Sequence, residues 1–404
     1  MERALQVRRR ELQGRRLKVL FLATWYPNEE GRVAGIFIQR HAEAVSRYCE
    51  VTVLYIHRSR RLKHARVEST VERGMPTVRV YLRKPIMDNR FFSELQLLDY
   101  LLSGYLAGRL MIKEFGRPDL IHLNVTLPVG LVGLLLSLLK GIPYVVSEHT
   151  GPLATMLDTP LARASARLVL GRAEVVLPVS SALKGQIDSF YKGLPCLVVP
   201  NAIDTQRFFP LASAASPRGR KVILFGSRLE DREKGVSGLL RAVKVLSQKR
   251  RDFELHIFGG GRDEENLKRQ AEELGLKDML IYFDGGIPNP ELALRMRTSD
   301  FYVLNSPFES FSATSAEALS SGIPVISTRC GGPEDYLNDD VGLLIEPGNT
   351  EELVRAIDYM LDHHRDYDPT VLHQYAASRF SYDVVGARLV EIYRAVCRAA
   401  QRRG

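Results

Sequence analysis

Two glutamates, Glu309 and Glu317, bracket the stretch of this 404-residue chain that is richest in chemistry. Between them run Ser310-Phe311-Ser312-Ala313-Thr314-Ser315-Ala316, and from Ser310 to Thr328 Glu317 is the sole charged side chain. A helix there, ending at Gly322, has no polar face and is expected to be buried nearly all round. A dry ionised carboxylate costs several kcal/mol unless it is paired or hydrogen-bonded. No Lys or Arg lies within helical reach, which leaves two readings open. Glu317 accepts from a ligand's hydroxyl pair, or it meets an arginine from another segment. Glu309 follows the apolar strand Phe301–Leu304, where open α/β sheets bind ligands and a helix N-terminus offers N–H groups to an anion. The rival reading is a solvated loop acid.

Three more loops follow strand ends. In Gly31–Gly35, glycine lets backbone N–H groups approach a phosphate just before a helix; taken alone, an ordinary turn is the better reading of this loop. In Phe225-Gly226-Ser227-Arg228-Leu229 with Lys234-Gly235, Arg228 and Lys234 suit a diphosphate. The same loop holds Glu230, Asp231 and Glu233, so two solvated cations are the alternative. His149 in Ser147-Glu148-His149-Thr150-Gly151 is either a donor to a sugar hydroxyl or phosphate, or a plain loop histidine. Gly259-Gly260-Gly261 lacks the third glycine of a dinucleotide fingerprint, and there is no Walker A, His-Glu-x-x-His or Cys-x-x-Cys. Asp366-Tyr367-Asp368 reads as a solvated linker, so no metal site and no cofactor is expected.

The elements that carry these loops alternate. Phe301–Leu304, the helix to Gly322 and Pro324–Ser327 form a βαβ unit with parallel strands. In the first half, strands fall at Leu17–Ala23, Val51–Ile56, Val78–Leu82, Leu120–Asn124, Tyr144–Ser147, Val175–Val179 and Leu197–Pro200. Helices fall at Ile36–Tyr48, Phe91–Phe115, Val129–Leu139, about 155–171 and Ser181–Tyr191. The rhythm restarts with strands Lys221–Gly226, Phe253–Phe258, Leu280–Asp284 and Gly342–Ile345, and ends in helices Thr350–His363, Val371–Phe380 and Tyr382–Ala400. Such alternation makes a parallel sheet covered on both faces, here twice, with a ligand expected in the cleft between two doubly wound domains. The division is a basic disordered tail at 1–16, a first domain at 17–210, a linker at 211–220, a second domain at 221–375 and a C-terminal helical segment at 376–404.

With 45% hydrophobic and 25% charged residues, the composition is that of a soluble globular protein. The longest apolar run, Val125–Leu139, is too short and too broken to span a bilayer. Four scattered cysteines and no signal peptide fit a cytoplasmic protein. Residues 1–200 hold 29 Lys+Arg against 17 Asp+Glu, whereas residues 201–404 hold 27 against 30. The excess gathers in Arg3–Lys18 and in Arg58, Arg60, Arg61, Lys63 and Arg66. It suggests peripheral contact with an anionic membrane at its inner face, or else merely solvated loops. Nucleic acid is not expected, because aromatic interleaving and any binding module are missing.

Taken in order, the motifs resemble the family-4 retaining glycosyltransferases of the GT-B fold. The run includes Thr24-Trp25-Tyr26-Pro27, Gly35-Ile36-Phe37, Ser147-Glu148-His149 and Pro200-Asn201-Ala202-Ile203-Asp204. It continues through Gly226-Ser227-Arg228-Leu229, Lys234-Gly235, Glu309 with Glu317, and Gly331-Gly332-Pro333-Glu334. The resemblance implies a GT-B α/β architecture of two Rossmann-like domains, with donor binding in the second and acceptor binding in the first. It also implies a last helix that crosses back to the first domain. By the same resemblance Glu309 holds donor-sugar hydroxyls and Glu317 the ribose. Arg228 and Lys234 clamp the diphosphate, helped by N–H groups of Gly35, Phe311, Ser312, Ala313 and Thr314. His149 lies near the reacting sugar, and the base pocket lies around Phe283–Ile287. Ser310 and Ser312 stand where the family usually has glycine, so their backbone contacts survive only if φ stays negative.

The expected reaction moves a sugar from a nucleotide-diphosphate donor to a hydroxyl of a saccharide or polyprenyl-linked acceptor. It retains the anomeric configuration, uses no metal and serves surface polysaccharide synthesis. The alternatives are a nucleotide-sugar 2-epimerase of the same architecture and a non-catalytic sugar-nucleotide or glycan-binding protein.

Overall fold

The computed structural model describes residues 15–31, 33–59, 61–62, 64–83, 90–211 and 219–403. Residues 1–14 of the basic tail, most of the 211–220 linker, Arg60 and Lys63 therefore fall outside the described residues, whereas Arg15, expected in the disordered tail, pairs with Asp119 at 2.8 Å. Internal contacts divide the chain into two compact units. One gathers the chain up to Val179, Leu183–Ala202 and everything from Tyr382 onward; the other holds Ser180–Ala182 and Ile203–Ser381.

The first unit is built on a seven-stranded sheet. Its strands are β1 Lys18–Ala23, β2 Glu50–Ser59, β3 Arg66–Glu72, β4 Met75–Arg83, β5 Leu120–Asn124, β6 Tyr144–Glu148 and β7 Val176–Pro178, in the order β3-β4-β2-β1-β5-β6-β7. β5 and β6 are buried at every residue, as central parallel strands covered on both faces must be. β3 departs from the expected pattern: it pairs antiparallel with β4 through a turn in which Arg73 and Gly74 have φ of 50° and 77°. Two consecutive positive φ values are what a tight hairpin turn needs. The periodicity shows β4 but not β3, because β3 is a polar edge strand that buries no residue.

Two other elements differ from their sequence reading. The helical stretch about 155–171 is two helices, Leu153–Met156 and Pro160–Leu170; Thr159 caps the second by accepting from Ala162 N, and Pro160 starts it. The strand expected at Leu197–Pro200 is instead extended chain, tied to β7 by the Val176–Cys196 bridge. The last helix, Tyr382–Arg403, adds Val385, Leu389, Val390, Tyr393 and Val396 to the core that holds Val19 and Phe21 of β1. It lies so close to helix Ile36–Ser46 that a Cβ on Gly386 would come within 2.4 Å of Ala44 O.

The second unit has six parallel strands: β8 Lys221–Gly226, β9 Phe253–Phe258, β10 Ile281–Gly285, β11 Phe301–Leu304, β12 Val325–Thr328 and β13 Gly342–Ile345. Their order is β10-β9-β8-β11-β12-β13. In both sheets the chain winds outward from one strand and then returns to that strand's other side. The switch falls between β1 and β5 in the first sheet and between β8 and β11 in the second. Loops leaving the carboxyl ends of such a strand pair diverge and leave room for a ligand.

Candidate active site

At the second switch point the loops after β8 and β11 are locked together. Gly235 has φ 63°, and a Cβ there would sit 2.2 Å from Asn305 O. Asn305 Nδ2 donates to Gly235 O at 2.7 Å. This backbone contact brings Lys234 to Glu309: Nζ donates to Oε1 at 2.6 Å, and Ser306 Oγ donates to the same oxygen at 2.8 Å. Both side chains are well shielded, 15% exposed for Lys234 and 14% for Glu309. Arg228 is different, 70% exposed and held only at 3.5 Å by Glu230 and Glu233.

Neighbouring loops act as walls. Cβ atoms on Gly259 and Gly261 would fall 1.8 Å from Ser227 O and 2.5 Å from Leu229 O, so the triple glycine lets its loop pack on the Arg228 loop. A Cβ on Gly332 would meet Ser310 O and Phe311 Cα at 2.5 Å, and Gly332 N donates to Glu309 O at 2.8 Å. The short helix Asp231–Lys234 was not legible in the sequence. Its Asp231 carboxylate accepts from Ser237 N and Oγ at 2.7 and 2.6 Å, capping helix Val236–Ser247. That helix terminus is thus occupied by the protein's own acid.

Helix Ala313–Ser320 is buried from Ser315 to Ser320, as its uncharged sequence requires, and it carries Glu317 with it. Ser310 keeps a negative φ, whereas Ser312 has φ 62° and ψ 81°, a left-handed conformation that costs a non-glycine residue free energy. Ser312 Oγ accepts from Ser315 N at 3.4 Å and pairs with Ser315 Oγ at 2.8 Å. Tyr336 Oη donates to the carbonyls of Phe311 and Ser312 at 2.9 and 3.1 Å. With these carbonyls held, the turn is fixed. The N–H groups of Ala313 and Thr314 belong to the first turn, where a helix supplies no acceptor. Ile287 follows β10, half-buried.

In the first unit, Gly35 has φ 70° at the start of helix Ile36–Ser46, and a Cβ would come 2.3 Å from Trp25 C. His149 is buried between Asn201 Oδ1, 2.9 Å from Nδ1, and Asn124 Oδ1, 3.3 Å from Nε2. Burial, with the nearby His41 adding to it, holds its pKa well below the usual histidine value. The ring is therefore neutral and carries one N–H, which faces one of these two asparagine oxygens. Glu148 beside it is fully buried and accepts from the backbone and hydroxyls of Thr126 and Thr150. Directly after β5, Val125 takes φ 77°, which is strained for a β-branched residue.

Sequence reasoning missed Asn305, Ser306, Asp231 and Tyr336. Asn305 and Ser306 had a signal, a polar turn straight after an apolar strand; Tyr336 had none. Among the described residues no group of three or more His, Cys, Asp or Glu is disposed to hold a metal ion, and no helix is long and apolar enough to cross a membrane.

Family models cover most of the chain: residues 10–207 match Glycosyltransferase Family 4 and residues 210–377 match Glycosyl transferases group 1. The chain belongs to the family-4 glycosyltransferases. This glycosyltransferase is 29% identical over 269 residues to a 2-deoxystreptamine glucosyltransferase of Streptomyces kanamyceticus, which covers 60% of this chain and 67% of the relative. It is 28% identical over 302 residues to a GDP-mannose-dependent alpha-(1-6)-phosphatidylinositol monomannoside mannosyltransferase of Mycolicibacterium smegmatis, covering 70% and 78%. Among solved structures, sucrose-phosphate synthase of Thermosynechococcus elongatus superposes with a TM-score of 0.77 at 19% identity, covering 95% of this chain and all 100% of the other. Anabaena HepE in complex with UDP and glucose gives 0.73 at 19%, covering 94% and 100%. The fold of the glycosyltransferase is GT-B, with two Rossmann-like domains.

Proposed function

We propose that the enzyme transfers a sugar from a nucleotide-diphosphate donor to a hydroxyl of a saccharide or lipid-linked saccharide, with retention and without a metal ion. The contact between Lys234 and Glu309 at the switch point of the second sheet carries the reading. It joins a phosphate-seeking cation to a hydroxyl-seeking carboxylate beside a helix N-terminus. In this reading Lys234 and Arg228 bind the diphosphate together with N–H groups of Gly35, Phe311, Ala313 and Thr314, while the positive φ of Ser312 takes its N–H out of the expected set. Glu309 takes sugar hydroxyls, Glu317 the ribose, His149 a sugar hydroxyl, and the segment at Ile287 the base. The HepE complex with UDP and glucose and the mannosyltransferase named for GDP-mannose support a sugar nucleotide while leaving the base open.

The acceptor oxygen attacks the anomeric carbon on the face the diphosphate leaves. The C–O bond to phosphate breaks, and the leaving phosphate oxygen takes the acceptor's proton. Cations and N–H groups stabilise the charge that develops on the diphosphate, each such donor being worth roughly 10²–10³ in rate. The reading includes a cytoplasmic enzyme held peripherally at an anionic membrane, supported by the excess of cations in residues 1–200.

Thermal-shift screening with UDP-, GDP- and ADP-sugars identifies the donor, and Lys234→Ala then tests the clamp. Turnover should fall by roughly 10²-fold or more while the protein stays folded. Near-wild-type turnover would overturn the assignment, and an epimer formed from donor alone would move the enzyme to the 2-epimerase reading.

A further inference from the structure

The first unit exposes an apolar face that the transfer chemistry does not use. On helix Arg90–Phe115, Leu98, Leu102, Leu106 and Leu110 are exposed by 64, 59, 45 and 65%. They recur every four residues and so share one side of the helix. Gly104 and Gly108 on the opposite side let helix Val129–Lys140 lie close: Cβ atoms there would meet Val132 Cγ2 at 2.9 Å and Leu136 Cδ1 at 2.8 Å. The two helices thus run in the same direction, and Leu110 comes level with Leu138 and Leu139, which are 57 and 56% exposed. Gly130 in turn packs on Val169 of helix Pro160–Leu170, whose Leu161 and Leu168 are also exposed. A row of four exposed leucines on one helix side, with more on the two helices packed beside it, is apolar surface that soluble proteins rarely leave without a partner.

Charge decides what the partner is. Arg109, Lys113 and Arg117 border the leucines at one end, and Arg163 and Arg167 lie on the third helix, all exposed. Among the described side chains of the three helices the acids are Asp99, already paired with Arg58 at 2.8 Å, and Glu114. A second copy of the chain docking about a twofold axis would set this cationic rim against itself. A lipid leaflet bearing anionic headgroups accepts both parts at once, leucines in the acyl boundary and cations at the headgroups.

We infer that the leucine face of helices Arg90–Phe115 and Val129–Lys140 is the surface by which the enzyme lies on an anionic bilayer. The inference rests on the peripheral placement proposed above and names its contact as this face, not the Arg58–Arg66 cluster.

Co-sedimentation with vesicles of phosphatidylcholine, alone or with one quarter phosphatidylglycerol, tests it on the full chain. Three proteins are compared: wild type, the double variant Leu102→Glu with Leu106→Glu, and the double variant Arg61→Glu with Arg66→Glu. Thermal melting controls for folding; the two leucines are exposed, so that variant should melt as wild type does. Wild type should bind the anionic vesicles, the leucine variant should lose at least about tenfold in partitioning, and the arginine variant should keep most of its binding. If the leucine variant binds like wild type, this face is not the contact and the peripheral reading survives. If wild type ignores both vesicles, the two fall together. A dimer in light scattering that the leucine variant abolishes, without vesicle binding, would give the face to a second copy instead.

Discussion

The contact between Lys234 and Glu309 couples two jobs that the proposed donor site must do. The Glu309 carboxylate neutralises Lys234 at 2.6 Å, and Ser306 keeps it there. A diphosphate entering the site competes with Glu309 for Lys234, and Glu309, once released, is free to accept from sugar hydroxyls. Glu309→Gln removes the competitor. An exposed pair is worth up to about 1 kcal/mol and this shielded one no less, so a bare nucleoside diphosphate should bind the variant at least about fivefold tighter than wild type, while sugar transfer falls. Calorimetric titration with UDP and GDP reads the effect, and equal affinities would mean that the pair stays closed over the bound diphosphate. Either glutamate could be seen in the sequence because it is charged among uncharged neighbours. That Lys234 lands on Glu309 could not, since 75 residues separate them and strand order alone joins their loops.

At the level of elements, Ser312 shows a position where sequence and backbone disagree. The turn into helix Ala313–Ser320 needs a left-handed residue, and serine pays about 1–2 kcal/mol for it. In return its hydroxyl caps Ser315, a contact for which glycine loses only a few tenths of a kcal/mol and alanine about 1 kcal/mol. Ser312→Gly should therefore raise the denaturation midpoint of the second unit, and Ser312→Ala should lower it. Both variants moving the midpoint the same way would show that the backbone strain is relieved elsewhere. The regular elements were legible wherever an apolar run or an apolar face is covered: β8, β9, β11, β13 and helix Thr350–His363 lie where apolar runs and caps put them. β3 was not, because an edge strand facing water has no apolar period to read. The Asp231–Lys234 helix was not either, because a single turn made of charges looks like a loop.

Over the whole molecule, the two units bury histidines of opposite character and should answer pH in opposite directions. In the first unit burial pushes His41 down to about 4, and His122 and His149 well below their usual value. The unfolded chain binds these protons near pH 6.5 and the folded unit does not, so the first unit is fully stabilised above that pH and loses stability as pH falls. Each ring costs up to about 1.4 kcal/mol per pH unit until it protonates in place. In the second unit burial opposes the charge on His256, but Asp284 at 2.8 Å and Glu254 at 3.1 Å outweigh it and raise its pKa. That contribution is fully present below pH 6.5 and is lost as pH rises through the raised value. Trp25, the chain's one tryptophan, belongs to the first unit, so its fluorescence follows that unit alone, while amide exchange of β9 and β10 follows the second. From about pH 8 to about pH 5 the tryptophan transition should move to lower temperature, and the β9–β10 amides should become better protected. Histidine chemistry is the term with opposite signs in the two units, whereas general acid expansion would weaken both. A parallel loss in the two reporters would therefore rule out the buried rings as the origin of the response.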